Sequence, residues 1–375
     1  MFSFKDIKGC KEVKRSITHL ITNDRFPHAA LYLGNEGNEK LRLAYATARM
    51  LLCESPLTDD CCGRCISCIK SGHFNHPDIL FSFPFVKTAE VNQCEDCMTE
   101  WKDSFEANPY MNIFEWAKSG ENSNKQVNIN VAECLRIVKE LSMRPYESDQ
   151  KVMIIWMPEY LAREGNRLLK IIEEPPEATY IIFVGEESDK VLNTILSRCQ
   201  LFKVPPVETT HLADILHNQF GKDQEIATIT AAMANGNVME ALSLFSEDNQ
   251  NYNEVFINWL RKCYLMNRKE IVDWCDQFAR YDKEVQKYIL SFGIHFMQEM
   301  SRCMWNPDYD AGLSSDWKLT LKNLIPLMDF EKVERLTKIL ENEIYFVERN
   351  CNMKIQLLST SIELHQLLLK PVAVI

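Results

Sequence analysis

Val152–Met157 (VMIIWM) and Tyr180–Val184 (YIIFV) decide the fold of this 375-residue chain. Both stretches are apolar throughout, whereas strands with one solvated face alternate apolar and polar residues. Strands that are buried on both faces have this pattern, and they occur in parallel sheets that helices cover on both sides. We therefore predict a parallel sheet in which these two stretches are strands.

More strands and helices are predicted outward from this pair. Shorter apolar runs predict strands at Ala29–Leu33, Asp78–Phe83 and Leu201–Val204. Strand and helix in alternation are typical of a doubly wound α/β layer, so residues 1–204 are predicted to form one α/β domain. The helical patterns between the strands lie at roughly 39–53, 131–143, 162–173 and 189–196.

Beyond Pro205-Pro206 the strand signal fades and helices follow one another. Apolar spacing predicts helices at His211–Phe220, Lys222–Ala234 and Val238–Phe245, so residues 205–250 are predicted to form a small helical domain. From residue 251 to residue 375, apolar residues again recur at helical spacing, which indicates a third, all-helical domain.

Composition and charge are those of a soluble globular protein, with a hydrophobic fraction of 46% and a charged fraction of 25%. No apolar run approaches the ~18 residues of a membrane helix, and the N-terminus lacks the apolar core of a signal peptide. We therefore expect a cytoplasmic protein with no membrane contact and with its 14 cysteines reduced. The net charge of −11 repels nucleic acid, so DNA contact needs a local basic patch, and protein partners are expected.

Four closely spaced cysteines form the strongest chemical signal in the chain. A C-x2-C turn places two thiolates about 2.3 Å from one ion, and four thiolates complete a tetrahedral zinc site. Such a site has no open coordination position, so we predict structural zinc within residues 53–68. The predicted ligands are Cys53, Cys62, Cys65 and Cys68.

Neighbouring side chains leave this ligand set open. Cys61, beside Cys62, could replace it, as could His73 or His76. Cys94 and Cys97 form only half of a metal site within an acidic stretch, so we interpret them as incidental thiols.

A degenerate phosphate-binding loop (GNEGNEKL) lies at 34–41. A working loop needs glycine before its lysine, so that backbone N–H groups can surround the phosphates, and a hydroxyl after it for Mg²⁺. Glu39 and Leu41 occupy those two positions. A free carboxylate about 4 Å from a phosphate costs roughly 4 kcal/mol, so we predict that the loop binds no ATP. Its outline is kept by Gly34, Gly37 and Lys40.

Further short motifs follow one another in a specific order along residues 1–204. They are Pro27-His28-Ala29, the loop at 34–41, the four cysteines, His76-Pro77-Asp78, Asn166–Pro176 (NRLLKIIEEPP) and Thr194–Gln200 (TILSRCQ). This order resembles the delta-prime subunit family of the bacterial DNA polymerase III clamp loader, within the AAA+ superfamily. Residues 84–128 depart from the family core and are predicted to be an insertion.

The resemblance implies a fold and the loss of an activity. It implies a RecA-like AAA+ domain at 1–204 with a zinc-binding insertion, an all-α lid at 205–250 and an all-α collar for oligomerisation at 251–375. In active relatives an Asp-Glu pair would follow the strand at 152–155, where this chain has Trp156 and Met157, with Glu159 as the only nearby acid. Met239 or Glu240 occupies the place of a phosphate-sensing arginine. The resemblance therefore implies a subunit with no ATPase activity of its own.

The motif Ser197-Arg198-Cys199 is intact. The resemblance implies that Arg198 reaches the ATP site of a neighbouring subunit, where such a finger can raise the rate by about 10³ to 10⁵. A solvated arginine between a helix and an edge strand is the alternative.

The resemblance also implies the partners: gamma/tau motor subunits, the delta subunit, the sliding clamp transiently, and primer-template DNA through the assembly. Arg163, Arg167 and Lys170 fall at helical spacing and could touch the DNA phosphates, although a solvated basic face is the simpler interpretation. The expected function is non-catalytic help in loading the clamp. An active motor subunit of the gamma/tau type is the alternative, and a nucleic-acid-binding zinc module is disfavoured by the acidic charge.

Overall fold

The computed structural model describes residues 2–88, 90–118, 127–244, 249–309 and 315–369. The chain divides into two compact units. Unit 1 comprises Met1–His211 with Gly236–Met239, and unit 2 comprises Leu212–Asn235 with Glu240–Ile375. The division into three domains at residues 204 and 250 stays a prediction.

The predicted parallel sheet is confirmed in unit 1. Among the described residues, five strands form it in the spatial order Ile79–Ser82, Lys151–Trp156, Thr179–Gly185, Ala29–Leu33 and Gln200–Lys203, and every neighbouring pair is parallel. Each predicted strand is present, with its ends shifted by at most one residue. The strands of the sheet are β1 (Ala29–Leu33), β2 (Ile79–Ser82), β5 (Lys151–Trp156), β6 (Thr179–Gly185) and β7 (Gln200–Lys203), and β3 (Phe85–Val86) and β4 (Val127–Asn128) lie outside it.

Both faces of this sheet are buried, which explains the continuous apolar runs. Along β5, Ile154 packs into the core on one face and Ile155 into the core on the other. In β6, Ile182 and Phe183 divide in the same way. Since successive side chains of a strand point to opposite faces, a strand between two helical layers must be apolar at each position.

The helices of unit 1 are shorter than predicted in two places. Pro158–Leu168 is 3-10 in character and is interrupted at Ala162, whose φ of 44° and ψ of −137° no helix has. The predicted α-helix at 162–173 is therefore wrong up to Leu168. The pattern at 189–196 is α-helical only over its second half. The α-helices before β7 are α1 (Lys11–Thr22), α2 (Lys40–Leu51), α3 (Ile66–Gly72), α4 (Met98–Ala107), α5 (Ile113–Lys118), α6 (Val131–Ser142), α7 (Leu169–Glu173) and α8 (Asn193–Leu196).

The described residues of the segment predicted as an insertion, 84–88, 90–118 and 127–128, pack into the core of unit 1. Strand β3 pairs with β4 in antiparallel fashion at its two ends. Between them, α4 buries Trp101 and Phe105, both 0% exposed. The ring of Trp101 stacks on Phe83 with a centroid distance of 4.8 Å and an interplanar angle of 4°. This segment is therefore an integral part of the unit.

Every element described after β7 is helical, which confirms the all-helical C-terminal region. The core of unit 2 includes Trp259, stacked on Trp274 at a centroid distance of 5.0 Å, together with Leu336 and Leu340 from the predicted apolar stripe. Among the described residues, no helix is both long and apolar enough to span a membrane. The helices are α9 (Thr209–Asn218), α10 (Gln224–Met233), α11 (Val238–Ser243), α12 (Asn249–Leu265), α13 (Arg268–Phe278), α14 (Lys283–Trp305), α15 (Ser315–Leu324), α16 (Phe330–Glu348) and α17 (Met353–Leu369).

Candidate functional site

The loop at 34–41 connects β1 to α2 at the edge of the sheet where the parallel strands end. The backbone N–H of Gly34 donates to Gly185 O at 3.2 Å, and Asn38 Nδ2 donates to Val204 O at 3.1 Å. A Cβ atom at Gly34 would lie 2.5 Å from that same carbonyl oxygen. Close approach of the backbone to β7 therefore requires this glycine.

Lys40, the lysine of the degenerate loop, is buried and bound within the protein. Its Nζ donates to Asn35 O at 2.9 Å and lies 2.9 Å from Glu186 Oε1. Only 4% of the residue is exposed. In a working loop this ammonium group would contact nucleotide phosphates. Here the ammonium group contacts the carboxylate of Glu186 instead.

Glu39 belongs to a buried network with Arg42 and Tyr110. Arg42 Nη1 donates to both carboxylate oxygens at 3.0 Å and to the Tyr110 hydroxyl at 2.5 Å. The Tyr110 hydroxyl in turn donates to Glu39 Oε1 at 3.0 Å, and Arg42 Nη2 donates to Asp6 O. Burial raises the pKa of the Glu39 carboxyl, and the charge of Arg42 opposes that rise.

This network corrects the electrostatic argument made from the sequence. The repulsion of about 4 kcal/mol assumed a free carboxylate facing a phosphate. Glu39 is fully buried and paired with Arg42, so a free carboxylate is not what the loop presents. The loop differs from a phosphate-binding loop because its charged groups already have partners inside the protein.

The segment 84–128 supplies the partners that cover the loop. Besides Tyr110, Asn112 Nδ2 donates to Glu36 Oε1 at 2.7 Å. Asn108 Nδ2 approaches the sulfur of Met239 at 3.3 Å, and the backbone N–H of Val238 donates to Gly37 O at 2.9 Å. The loop, the inserted segment and residues 236–239 are thus joined by direct hydrogen bonds.

The end of β5 carries no magnesium ligand at the two positions where active relatives would have acids. Trp156 and Met157 are buried, with exposures of 2% and 4%. The nearby acid, Glu159, accepts from the backbone N–H groups of Glu186 and Glu187 at 2.5 and 2.9 Å. Burial raises its pKa. Glu159 therefore braces the turn that follows β6.

Arg198 lies at the surface, between α8 and β7. Its Nε donates to Glu173 Oε1 at 2.5 Å, and its Nη1 donates to Thr194 O at 2.9 Å and to Ser197 Oγ at 3.1 Å. The side chain of Arg198 is 34% exposed and that of Glu173 47%. Cys199, the last residue of the motif, is partly buried, and burial raises the pKa of its thiol to about 12. Its chemistry is therefore that of a packed side chain.

The structure brings the four predicted zinc ligands together. The sulfur atoms of Cys53, Cys62, Cys65 and Cys68 all lie within 4.8 Å of one another. The Sγ–Sγ distances are 4.0 Å for Cys53 and Cys65, and 3.9 Å for Cys62 and Cys68. A tetrahedron with bonds of about 2.3 Å has edges of about 3.8 Å, so the cluster fits a zinc ion.

Backbone donors around this cluster favour thiolates. The N–H groups of Cys62, Cys65 and Cys68 donate to the sulfurs of Cys53, Cys62 and Cys65 at 3.2, 3.4 and 3.4 Å. A hydrogen bond from the backbone N–H of Arg64 lowers the pKa of Cys62 to about 6, whereas burial raises the pKa of Cys53 to about 11 and also raises the pKa of Cys68. These four residues can hold a metal ion, and binding one ion would close the loop that leads from α2 to α3.

The alternative ligands are not members of the four-sulfur cluster. The described residues contain one cluster with the geometry of a metal site, and Cys61, His73 and His76 are not part of it. His76 Nε2 is 2.8 Å from Ser67 Oγ, and His76 Nδ1 accepts from the backbone N–H of Asp78. Cys94 is fully buried and donates to Phe83 O at 3.2 Å.

Arg163, Arg167 and Lys170 are all exposed. Arg167 Nε donates to Glu164 at 2.7 Å. Because the backbone is 3-10 up to Leu168, the α-helical spacing that placed the three cations on one face does not apply there. Their contact with DNA stays a prediction.

Two residues of the site, Arg42 and Tyr110, were missed from the sequence. Arg42 follows Glu39 by three residues at the start of a helix, and this spacing is typical of an acid–base pair. The sequence therefore contains a local signal for the pairing of Arg42 with Glu39. Tyr110 lies 68 residues from Arg42, and no local pattern connects the two.

Comparison with known proteins gives the relationship of the chain. The family model described as "DNA polymerase III, delta subunit" matches residues 9–208, more than half of the chain. The DNA polymerase III subunit delta' of Bacillus subtilis (strain 168) is 26% identical over 239 residues, covering 63% of this chain and 59% of its own length. The DNA polymerase III subunit gamma of Buchnera aphidicola subsp. Acyrthosiphon pisum is 26% identical over 247 residues, covering 64% and 57%.

Among solved structures, the RuvB Holliday junction branch migration motor of Thermotoga maritima has 14% identity and a TM-score of 0.37, covering 65% of this chain and 63% of its own. That similarity is too low to inform on fold or function. The chain spans 59% and 57% of the two curated relatives described above. The match to the family model includes the whole parallel sheet and the four-cysteine cluster. The chain therefore belongs to the DNA polymerase III delta subunit family.

Proposed function

We propose that this chain is the delta-prime-type subunit of a clamp loader, which helps to place the sliding clamp on primed DNA without hydrolysing ATP itself. In this proposal Arg198 completes the ATP site of a neighbouring motor subunit. The observation that carries the proposal is the buried network of Glu39, Arg42 and Tyr110, together with the pairing of Lys40 with Glu186. The groups that would hold a nucleotide are engaged within the chain.

The energy of this network argues against ATP binding. Separating a buried ion pair leaves an uncompensated charge, at a cost of about 3–5 kcal/mol. A nucleotide that displaced Arg42 from Glu39 would have to offset that cost, and one that bound Lys40 would have to compete with Glu186. It would also lack a protein ligand for Mg²⁺ at Trp156 and Met157, which are buried and apolar.

Arg198, unlike Arg42 and Lys40, is held by an ion pair at the surface. Its ion pair with Glu173 is exposed, and exposed pairs contribute about 0–1 kcal/mol. A phosphate group offers a stronger, charge-assisted and bidentate partner to a guanidinium group. Exchange of Glu173 for a γ-phosphate on a neighbouring subunit is therefore favourable once the two subunits are assembled.

The remaining parts of the proposal are supported by the family resemblance and, for zinc, by the geometry of the cysteine cluster. The four cysteines hold structural zinc, residues 205–250 form the lid, and residues 251–375 form the collar that assembles with the other subunits. The partners are gamma/tau motor subunits, the delta subunit, the sliding clamp and primer-template DNA, all in the cytoplasm. A rigid subunit of this kind can act as the fixed part against which ATP-driven neighbours move.

The alternative is an active motor subunit of the gamma/tau type. Relatives named delta' and gamma are equally similar to this chain, at 26% identity each. A binding assay with the isolated chain separates the two functions, because a motor subunit should bind Mg·ATP at micromolar concentrations. Such binding would overturn the proposal in favour of the alternative.

The test of the proposed finger is Arg198→Ala in the reconstituted assembly. DNA-stimulated ATP hydrolysis at the one site that Arg198 completes should fall by about 10³ or more, which lowers the total rate by that site's share, while the subunits still assemble. Arg25→Ala, which removes another exposed arginine of unit 1, should leave the rate unchanged. An Arg198→Ala assembly with the normal rate would refute the role of Arg198.

A further inference from the structure

A groove of about 440 Å³ lies along α1 in unit 1. One wall is α1 itself, and the other is formed by the N-terminal segment and the loop between Cys53 and Cys62. Its lining is rich in side chains that carry a positive charge or a hydroxyl group. The lining residues used below are Lys5, Lys11, Lys14, Arg15, Thr22 and Asp59.

The charge of this groove is opposite to that of the chain. Four cations line it against one carboxylate, Asp59, whereas the whole chain has a net charge of −11. Lys5, Lys11 and Arg15 are exposed, and none of them forms an ion pair with another residue that the structure describes. The cations are therefore available to an outside ligand.

The walls of the groove are fixed by hydrogen bonds. Lys14 Nζ donates to Phe4 O at 3.2 Å and to Ile7 O at 2.6 Å, which fixes the N-terminal segment against α1. The backbone N–H groups of Phe4 and Lys5 donate to the buried carboxylate of Asp60 at 3.2 and 3.0 Å. Both walls are thus tied to the core of unit 1.

The arrangement of the cations selects a linear anion. Lys11 and Arg15 lie on successive turns of α1, about 6 Å apart along its axis, and Thr22 is the last residue of the same helix. A compact anion would contact only one of these turns. A chain of phosphates can contact them in succession.

We propose that this groove binds the phosphate backbone of nucleic acid without regard to base sequence. The lining has two aromatic rings: Phe4, which is 2% exposed, and the exposed His19, whose Nδ1 lies 3.2 Å from Asn23 Nδ2. One accessible ring offers no platform for successive bases, so most of the affinity must come from the phosphates. An acidic peptide would meet the same cations. Its backbone N–H groups would also need acceptors, and the lining side chains are mostly donors, which favours nucleic acid.

The test is the salt dependence of DNA binding by the full chain, measured as the fluorescence anisotropy of a labelled DNA of mixed sequence. The variant is Lys11→Glu with Arg15→Glu. Lys11 begins α1, where an acidic side chain is favourable, so folding should be preserved. At about 50 mM salt the variant should bind at least about tenfold more weakly, and two lost contacts should reduce the salt slope by about 1.4 to 1.8.

The matched control is Lys87→Glu with Lys139→Glu, which makes the same change of charge at two exposed lysines outside the groove. It should keep the salt slope of the unchanged chain. Equal slopes for the variant and the control would overturn the proposal, as would a lack of DNA binding at about 50 mM salt. Stronger competition by a poly-glutamate peptide than by DNA of equal charge would assign the groove to an acidic protein instead.

Discussion

The loop at 34–41 and the tripeptide at 197–199 belong to the same unit, yet their charged side chains are in opposite surroundings. Glu39 is fully buried and Arg42 is 2% exposed, and the two pair with each other and with Tyr110. Arg198 lies at the surface, where its carboxylate partner is itself 47% exposed. One region has its ion pair in the core, and the other has its ion pair in water.

This difference separates two reasons for retaining a charge. Breaking a buried pair leaves a charge that nothing compensates, so such a pair is retained for stability. An exposed pair contributes little to stability, so an arginine in such a pair can exchange partners at small cost. The first region behaves as part of the core, and the second has the properties that a group acting on a neighbouring molecule needs.

Arg42→Ala should have the largest effect on stability. The substitution leaves the Glu39 carboxylate buried without its cation, so the free energy of unfolding should fall by about 3–5 kcal/mol. Urea unfolding, with hydrogen exchange measured on peptides from unit 1, determines this change.

A matched control for Arg42→Ala is Lys190→Ala. Lys190 pairs with Glu187 at the same sequence spacing but at the surface, so its loss should cost less than about 1 kcal/mol. Glu39→Leu with Arg42→Met removes both charges and should recover most of the stability. Equal losses for Arg42→Ala and Lys190→Ala would remove the distinction between the two regions.

Restoring the phosphate-loop consensus should destabilise the protein. Glu39→Gly with Leu41→Ser leaves Arg42 buried without a carboxylate, which should cost about 3 kcal/mol. Titration calorimetry with Mg·ATP should detect no micromolar binding, because Trp156 and Met157 still provide no ligand for Mg²⁺. If the variant gained ATP binding and kept its stability, Glu39 and Leu41 alone would be what prevents the loop from binding ATP.

Tyr110→Phe should have an intermediate effect. It removes one hydroxyl that both accepts from Arg42 and donates to Glu39, so the expected loss of stability is about 1–3 kcal/mol. Tyr146→Phe is the control, since Tyr146 is 69% exposed and its change should be close to zero. The thermal unfolding midpoints of both variants, measured under the same condition, test this prediction. Equal midpoints would show that the Tyr110 hydroxyl does not stabilise the network.

Arg198→Ala should have the smallest effect on stability, within about 0.5 kcal/mol, because its side chain lies at the surface. The same substitution should have the large effect on the ATPase rate of the assembly described above. A loss of stability comparable to that of Arg42→Ala, in the same urea experiment, would indicate a structural arginine.

The sheet could be predicted from the sequence because each of its strands has a local signal. Val152–Met157 and Tyr180–Val184 are apolar throughout, and burial on both faces requires that pattern wherever the strands lie in the chain. The four cysteines were recognisable for a similar reason, since metal ligands must be spaced to surround one ion. Both signals are complete within short segments.

The covering of the loop could not be predicted, since it depends on residues far apart in sequence. Nothing near Tyr110 indicates that its hydroxyl meets Glu39, and the segment 84–128 was interpreted only as an insertion. The 3-10 geometry before Leu168 was missed for another reason. Ala162 has a positive φ, which sequence patterns indicate for glycine but seldom for alanine.

The hydrogen bonds between the loop and segment 84–128 have a consequence for the order of folding. They join residues 68 to 76 positions apart, and the contact of Asn108 with Met239 spans 131 positions. Contacts of this range form slowly, because a long stretch of chain must first be confined. The pairing of β1 with β6 joins residues 152 positions apart, so the sheet and the covering of the loop both need most of unit 1 to be present. During synthesis, a nascent chain that has not yet reached Met239 cannot complete the covering of the loop.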